Sequence, residues 1–148
     1  MLSCTKTYFD VPFAHRQHLH DGRCSFIHGH NWDISVGFSC SELDENGFVV
    51  DFGKLKFLKE WIDANLDHAC VFSEGDPLVE KLVGAAPEAW KIYIVEQCSC
   101  EGIARHLYGV FDALVRKNTN SRAWVSSVRV WEDKKNAALY APSQSVES

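Results

Sequence analysis

Apolar residues recur at two spacings along this chain, and each spacing predicts a type of secondary structure. A spacing of two over residues 7–15 predicts a strand whose buried face is Phe9, Val11, Phe13 and, at its end, His15. Residues 28–39 alternate more strictly, and their apolar face is Trp32, Ile34, Val36 and Phe38. His28 and His30 share the parity of that face, so we expect both imidazoles on the buried side of a second strand.

The rest of the chain is predicted to alternate between helices and strands. Residues 48–52, FVVDF, follow an Asn-Gly turn and are expected to pair back as a short strand. Ser99 is a plausible N-cap, and Glu101 lies in the first turn of the helix that follows. The further elements are predicted, in chain order, as a helix at 53–65, a short helix at 78–83, a strand at 91–96, a helix at 100–117 and strands at 124–132 and 137–141.

This order of elements predicts an α+β fold with an antiparallel sheet. No internal repeat or linker divides the chain, and 46% hydrophobic residues are ample for one core, so we expect a single domain over residues 1–148. The polar tail at 142–148 is predicted to be flexible.

Charge and composition exclude several classes of partner. The formal net charge of -5 provides no basic field for a nucleic-acid backbone. No apolar run reaches the roughly 18 residues of a membrane span, and the first residues do not resemble a signal peptide, so a cytoplasmic protein is expected. In that reducing compartment the six cysteines are expected to be free thiols.

Three histidines converge if the first two strands form an antiparallel hairpin. His28 and His30 lie two strand rises apart and point the same way, and the loop 16–27 would bring His15 beside them. Three histidines without a fourth protein ligand are a common catalytic zinc arrangement, with one coordination position left for water or a substrate oxygen. The alternative, histidines at the surface or hydrogen-bonded in the core, stays open at this point.

Four further residues are candidates for chemistry. Cys24 lies on the loop that closes over the histidines, where a nearby cation or metal would lower the thiol pKa from about 8.5. Asp67 and His68 are adjacent and can poise a proton carrier. Glu132 has the parity of the buried positions in its strand and is predicted to project from the inner face. The alternatives are a small apolar cysteine, a surface Asp-His pair and a solvated strand end.

Together these segments resemble the 6-pyruvoyltetrahydropterin synthase family, and more closely its bacterial 6-carboxytetrahydropterin synthase branch, which acts in queuosine and other 7-deazapurine pathways. The resemblance covers nearly the whole chain and rests on FAHR, CSFIHGHNW, GFVVDFGKLK, LDHA, CSCEGIARHLY and VRVWE. HGHN combined with LDH at this distance is specific. The three residues between Cys24 and His28 fit the carboxytetrahydropterin branch.

The resemblance implies a role for each candidate. It implies zinc ligands at His15, His28 and His30, a catalytic thiol at Cys24, a proton-transfer set at Asp67 and His68, and a pterin anchor at Glu132. It also implies the tunnelling fold (T-fold), in which an antiparallel sheet carries two main helices on one face. Subunits of this fold join into a barrel, usually two stacked trimers forming a homohexamer with active sites between subunits.

One segment departs from the family pattern. Where the family usually has Asn-Pro-Thr, then Ser, Thr or Ala, then Glu-Asn, residues 97–102 read QCSCEG. The hydroxyl of Ser99 and the carboxylate of Glu101 are kept, but the proline and the final asparagine are lost. Because this segment helps to build the pterin pocket in the family, the departure concerns substrate binding rather than the metal ligands.

The expected function is therefore a zinc-dependent lyase. It would convert 7,8-dihydroneopterin triphosphate to 6-carboxy-5,6,7,8-tetrahydropterin, acetaldehyde and triphosphate. The cations expected to hold the triphosphate are those of the loop, Arg16, His18, His20 and Arg23, with a solvated polar loop as the alternative. Two other functions stay open: a 6-pyruvoyltetrahydropterin synthase, which releases no acetaldehyde, and a non-catalytic zinc- or pterin-binding protein of the same fold.

Overall fold

Six strands form one curled sheet in the computed structural model, which describes residues 1–143; most of the predicted tail lies outside the described residues. The strands are β1 (Cys4–His15), β2 (His28–Cys40), β3 (Cys70–Ser73), β4 (Ile92–Val95), β5 (Ala123–Trp131) and β6 (Ala137–Tyr140). The helices are α1 (Lys56–Asn65), α2 (Val79–Ala85) and α3 (Cys100–Asn118). The α+β class and both main helices are as predicted.

The sheet is mixed, in the order β4-β3-β1-β2-β5-β6. Pairing is antiparallel from β1 through β2 and β5 to β6, as predicted. The all-antiparallel expectation is wrong for β3 and β4, which pair parallel with β1 and with each other. The sequence prediction also missed β3, since a strand of only four residues carries little periodic signal. Helix α2 supplies the crossover that a parallel β3–β4 pair requires.

Strand β2 has the predicted inner face, whereas β1 has a bulge. Trp32, the first large residue of that inner face, is fully buried, as are Ile34, Val36 and Phe38. In β1 the register with β2 shifts between Tyr8 and Val11, so Tyr8 is buried and Phe9 is 70% exposed. Placing Phe9 on the buried face was therefore wrong. The extra residue of a bulge inverts the parity on one side of it, and sequence alternation does not reveal this inversion.

The strand predicted at 48–52 is also wrong, because side chains satisfy the backbone there. The amide of Phe48 donates to Asp44 Oδ1 at 2.9 Å, and the carbonyl of Val49 accepts from Arg122 Nη2 at 2.8 Å. Val49 and Val50 are still buried, so the apolar content of the segment serves the core. A segment with these bonds does not need a ladder partner.

Helices α1 and α3 share one core with the inner face of the sheet. Leu58 and Ile62 of α1 are fully buried in it, and so is Phe111 of α3. The Trp61 ring meets Phe111 edge to face, with the centroids 5.6 Å apart. No helix among residues 1–143 has the length and apolar character that a membrane crossing requires.

Candidate metal centre and active site

The register of β1 and β2 brings the three histidines together. His15 is directly paired with His28, and His30 follows on the same side of β2. The centroid of the His15 ring lies 4.6 Å from that of His28 and 5.6 Å from that of His30. The rings of Trp32 and His15 meet edge to face, with their centroids 4.9 Å apart. The histidine cluster therefore lies at the end of the apolar inner face.

Backbone carbonyls select the tautomer of two of these histidines. Nδ1 of His15 lies 2.7 Å from the carbonyl oxygen of Cys98, and Nδ1 of His28 lies 2.7 Å from that of Phe26. A carbonyl oxygen only accepts, so each Nδ1 carries the proton and each Nε2 presents its lone pair. Histidine ligands of metals are commonly oriented by such hydrogen bonds.

The site also favours the neutral form of His15, which is the form that binds metals. His15 is fully buried, and burial lowers its pKa, although the Cys98 carbonyl acts in the opposite direction. A neutral imidazole is ready to coordinate without first releasing a proton.

Glu132 completes a four-membered donor group with the histidines. One donor atom from each of His15, His28, His30 and Glu132 lies within 4.8 Å of the others. Glu132 Oε1 is 3.2 Å from His15 Nε2 and 3.3 Å from His30 Nε2. Its predicted inward projection is therefore confirmed. The family resemblance implies a substrate-binding role for this carboxylate, and its place among the metal-ligand candidates was not predicted.

The donor set fits a metal ion. The Nε2 atoms of His15 and His28 are 3.1 Å apart, and with Nδ1 protonated on both neutral rings their lone pairs face each other. The Nε2 of His30 is buried and makes no hydrogen bond to any of residues 1–143. A cation at this point would satisfy all three nitrogens, and imidazole nitrogen with a carboxylate oxygen is a typical zinc donor set.

Asp67 and His68 lie beside this cluster. They follow α1, and His68 has a left-handed φ of 62° while its amide donates to the carbonyl of Pro12 at 2.8 Å. Nδ1 of His68 contacts the Asp67 carboxylate. His68 and His30 line one open cleft of about 450 Å³. An imidazole held by a carboxylate next to the donor group is a suitable proton carrier.

A second cleft, of about 640 Å³, also reaches the cluster. Its lining includes Phe9, Trp131, His30 and Glu132. The size is in the range of small-molecule sites, and aromatic walls with a carboxylate suit a flat polar ring. The bulge in β1 places Phe9 at this cleft.

Cys24 lies apart from the donor group. It is half-buried in a short 3₁₀ turn, Arg23–Ser25, and its carbonyl accepts from the amide of Gln17 at 2.8 Å. Its sulfur is not among the clustered donor atoms. All six cysteines are free, as predicted, and burial raises the pKa of Cys70 and of Cys100 to about 11. Those two thiols are therefore protonated near neutral pH.

The segment that departs from the family pattern is tied to the metal candidates. Ser99 caps α3 as predicted, accepting from the amide of Gly102 at 3.1 Å, while Glu101 is exposed in the first turn. The carbonyl of Cys98 holds His15, and its thiol donates to the carbonyl of Arg16 at 2.8 Å. A Cβ at Gly102 would overlap the carbonyl oxygen of Gln97. The glycine thus permits a close approach that the usual asparagine would prevent.

Arg16 meets a partner that the sequence analysis did not identify. Nε and Nη2 of Arg16 bind the two carboxylate oxygens of Asp76 at 2.7 and 3.0 Å. The Asp76 side chain is fully buried. Burial alone would raise the pKa of Asp76, but hydrogen bonds from Arg16 and the amide of Leu78 outweigh it and lower that pKa. The two residues are 60 positions apart, and no local pattern links them.

The fold and the donor group together define an α+β protein with a candidate metal centre of three histidines and one carboxylate. A family model described as 6-pyruvoyl tetrahydropterin synthase matches residues 3–143. The chain belongs to this family, as the sequence motifs indicated, and its fold is that of the family's subunits.

Relatives of known name support the assignment. A 6-carboxy-5,6,7,8-tetrahydropterin synthase from Rickettsia bellii is 30% identical over 134 residues, which cover 89% of this chain and 94% of the relative. The enzyme of the same name from Aquifex aeolicus is 26% identical, covering 80% of this chain and 75% of the relative. The chain is thus similar to proteins named as pterin synthases of the carboxy type.

Solved structures show the same fold. An uncharacterised protein from Wolinella succinogenes superposes with a TM-score of 0.82 at 21% identity, covering 96% of this chain and 98% of the other. The 6-pyruvoyl tetrahydropterin synthase of Caenorhabditis elegans superposes with a TM-score of 0.60 at 23% identity, covering 97% and 98%.

Proposed function

We propose that this chain is a zinc-dependent 6-carboxy-5,6,7,8-tetrahydropterin synthase. It converts 7,8-dihydroneopterin triphosphate to 6-carboxytetrahydropterin, acetaldehyde and triphosphate, as a carbon-carbon lyase in queuosine and other 7-deazapurine biosynthesis. The observation that carries the proposal is the convergence of three Nε2 atoms and a carboxylate beside an Asp-His pair, in a chain whose named relatives are 6-carboxytetrahydropterin synthases.

His15, His28 and His30 are the proposed zinc ligands. Their support is the Nε2 geometry and the two carbonyls that orient the rings. Zinc supplies a Lewis acid that polarises substrate oxygens and stabilises developing negative charge.

Proton transfer is assigned to Cys24 and to His68. The Cys24 thiolate removes a proton from the substrate side chain. His68 takes and returns protons from the cleft that it shares with His30, and the carboxylate of Asp67 holds its Nδ1 proton and so directs Nε2 to the substrate. Two proton carriers at different positions allow removal and return on different faces of the substrate.

Recognition of the pterin is assigned to Glu132, with Ser99 and Glu101 at the start of α3. Glu132 lines the larger cleft, where a carboxylate can accept two parallel N–H bonds from the amino group and ring of a pterin. Ser99 uses its hydroxyl as an acceptor for the helix amide, so its hydroxyl proton is the group left to donate to a ligand.

The decisive experiment is a product analysis of the zinc-loaded protein incubated with 7,8-dihydroneopterin triphosphate. We expect acetaldehyde and 6-carboxytetrahydropterin in equal amounts, and loss of both in Cys24→Ala and in His28→Ala. Matched controls are Cys40→Ala, a half-buried thiol at the far end of β2, and His106→Gln, an imidazole on α3 that pairs with Tyr93. Both controls should retain turnover.

Other products would point to other functions. Release of triphosphate without acetaldehyde would instead identify a 6-pyruvoyltetrahydropterin synthase. Binding of zinc and pterin without turnover would identify a non-catalytic member of the fold.

We further propose a cytoplasmic homohexamer of two stacked trimers, with one domain spanning residues 1–148. Light scattering of the purified protein measures the assembly directly, and a mass of a monomer or dimer would contradict the hexamer.

A further inference from the structure

The guanidinium of Arg16 is directed into the protein rather than toward solvent. Its side chain is 11% exposed, although it follows His15 at the start of a loop. Besides the two bonds to Asp76, its Nη1 donates to the carbonyl of Ser25 at 3.0 Å. All three nitrogens of the fork are therefore engaged.

Asp76 is itself fixed to the end of the sheet. It lies between β3 and α2, its amide donates to the carbonyl of Ser73 at 3.2 Å, and its Oδ1 accepts from the amide of Leu78 at 3.0 Å. A bidentate ion pair with a buried, anchored carboxylate has one preferred geometry. Arg16 is thus held with respect to β3.

The third bond of Arg16 reaches the residue that follows Cys24. Arg16 holds the carbonyl of Ser25, and the amide of Gln17 holds the carbonyl of Cys24. Within the turn itself, the amide of Ser25 donates to the carbonyl of Gly22 at 3.1 Å. Two consecutive residues directly after His15 therefore hold the carbonyl of Cys24 and the carbonyl of the residue that follows it.

Charge argues against a phosphate-binding role for Arg16. The carboxylate of Asp76 neutralises the guanidinium at 2.7 Å, and an incoming triphosphate would have to displace it from a buried bidentate pair. A site for a highly charged anion needs uncompensated positive charge. The predicted triphosphate contact of Arg16 is therefore not favoured by this geometry.

We propose that Arg16 and Asp76 form a positioning pair, which holds the turn carrying Cys24 in register with the histidine cluster. The pair contacts neither substrate nor metal and acts through the Cys24–Ser25 backbone. The inference rests on the proposed function only in so far as Cys24 is the reactive thiol. The mechanical part, that the pair orders residues 17–27, stands independently.

The test compares Arg16→Lys and Arg16→Met with the wild type. Lysine keeps the positive charge but lacks the forked guanidinium, and methionine lacks both. Both variants should therefore lose the hydrogen bond to the carbonyl of Ser25. By hydrogen exchange and mass spectrometry, we expect amides in 17–27 to exchange roughly 10-fold faster while amides in the centre of α3 keep their protection. In steady-state kinetics, kcat should fall about 10- to 100-fold with KM within about 2-fold, as expected for a displaced catalytic group.

The control is Arg116→Lys, which alters a half-exposed Arg–Asp pair on α3 far along the chain. It should change neither the exchange of 17–27 nor kcat. Unchanged exchange of 17–27 in both Arg16 variants would overturn the proposal. A rise in KM with kcat and exchange unchanged would also overturn it and would identify Arg16 as a phosphate ligand. Faster exchange throughout the chain, with a normal kcat per folded molecule, would overturn it as well. Absence of turnover in the wild type would refute the proposed function, and the exchange comparison would still decide the role of the pair.

Discussion

The histidine cluster and the Cys24 turn are neighbours in the chain but are held in place by different means. The cluster is built on two long strands, where ladder pairing places His15 beside His28 and carbonyls orient the rings. The Cys24 turn is part of a loop and is held there by bonds from the Arg16 side chain and the Gln17 amide. Regular structure thus holds the candidate metal ligands, and a few side-chain and loop bonds hold the candidate thiol.

The largest expected effect is a difference in bound zinc between a variant of the histidine cluster and a variant of the Cys24 turn. His28→Ala removes one of three nitrogen donors, so bound zinc after dialysis should fall well below one per chain, and activity should fall by at least about 10³-fold. Cys24→Ala should lose activity comparably while binding zinc as the wild type does. Zinc analysis by mass spectrometry checks this; equal zinc loss in both variants would mean that the thiol is itself a ligand.

A smaller effect is expected on stability when the segment that carries Cys98, whose carbonyl orients His15, is displaced. Gly102→Ala forces a Cβ against the Gln97 carbonyl, displaces the segment that carries Cys98 and should destabilise the fold by about 2 kcal/mol. The matched change Gly109→Ala lies on the same helix with open space around it and should stabilise by about 0.5 kcal/mol. Urea unfolding gives both values. A neutral Gly102→Ala would show that the close approach relaxes without cost.

Acid should weaken the tie of the Cys24 turn by protonating Asp76. The pKa of Asp76 is lowered in the folded protein, so its carboxylate contributes stability that is fully present above the ordinary value of 3.8 and is lost as the pH falls through the lower folded value. Asp76→Asn should therefore cost about 1.5 kcal/mol near neutral pH and progressively less below about pH 4. Urea unfolding at several pH values measures the difference in free energy of unfolding between Asp76→Asn and the wild type. A difference that does not change with pH would show that the ionised Asp76 carboxylate is not its source.

The smallest effect concerns the interior of the turn. Ser25→Ala removes a hydrogen bond from its hydroxyl to the carbonyl of Gly22 at 2.7 Å, in an exposed position. Global stability should change by no more than about 0.5 kcal/mol, and exchange in 17–27 should rise only slightly. An effect as large as that of Arg16→Met would place the hold on Cys24 within the turn.

Much of the fold could be predicted because strand and helix periods follow from backbone geometry. The parity that put His28 and His30 with Trp32 is confirmed, and so are both main helices and the cap at Ser99. Phe9 was misplaced because Asp10 takes a φ of 55° and its amide binds Asp33, a contact across strands that local alternation cannot show. Strand β3 was missed because its four residues carry little periodic signal, and its pairing with β1 and β4 joins segments that are distant in sequence.

The sequence by itself determined the chemistry of the candidate site: three imidazoles on paired strand ends, an adjacent Asp-His pair, and a set of motifs that identifies the family. Only the tertiary structure decided that Glu132 joins the imidazoles, that the Cys98 carbonyl selects the tautomer of His15 and that Asp76 binds Arg16. The physical reason is sequence separation. Periodicity reports which residues share a face within one element, whereas these contacts join residues 60 or more positions apart and depend on how the sheet and loops close together.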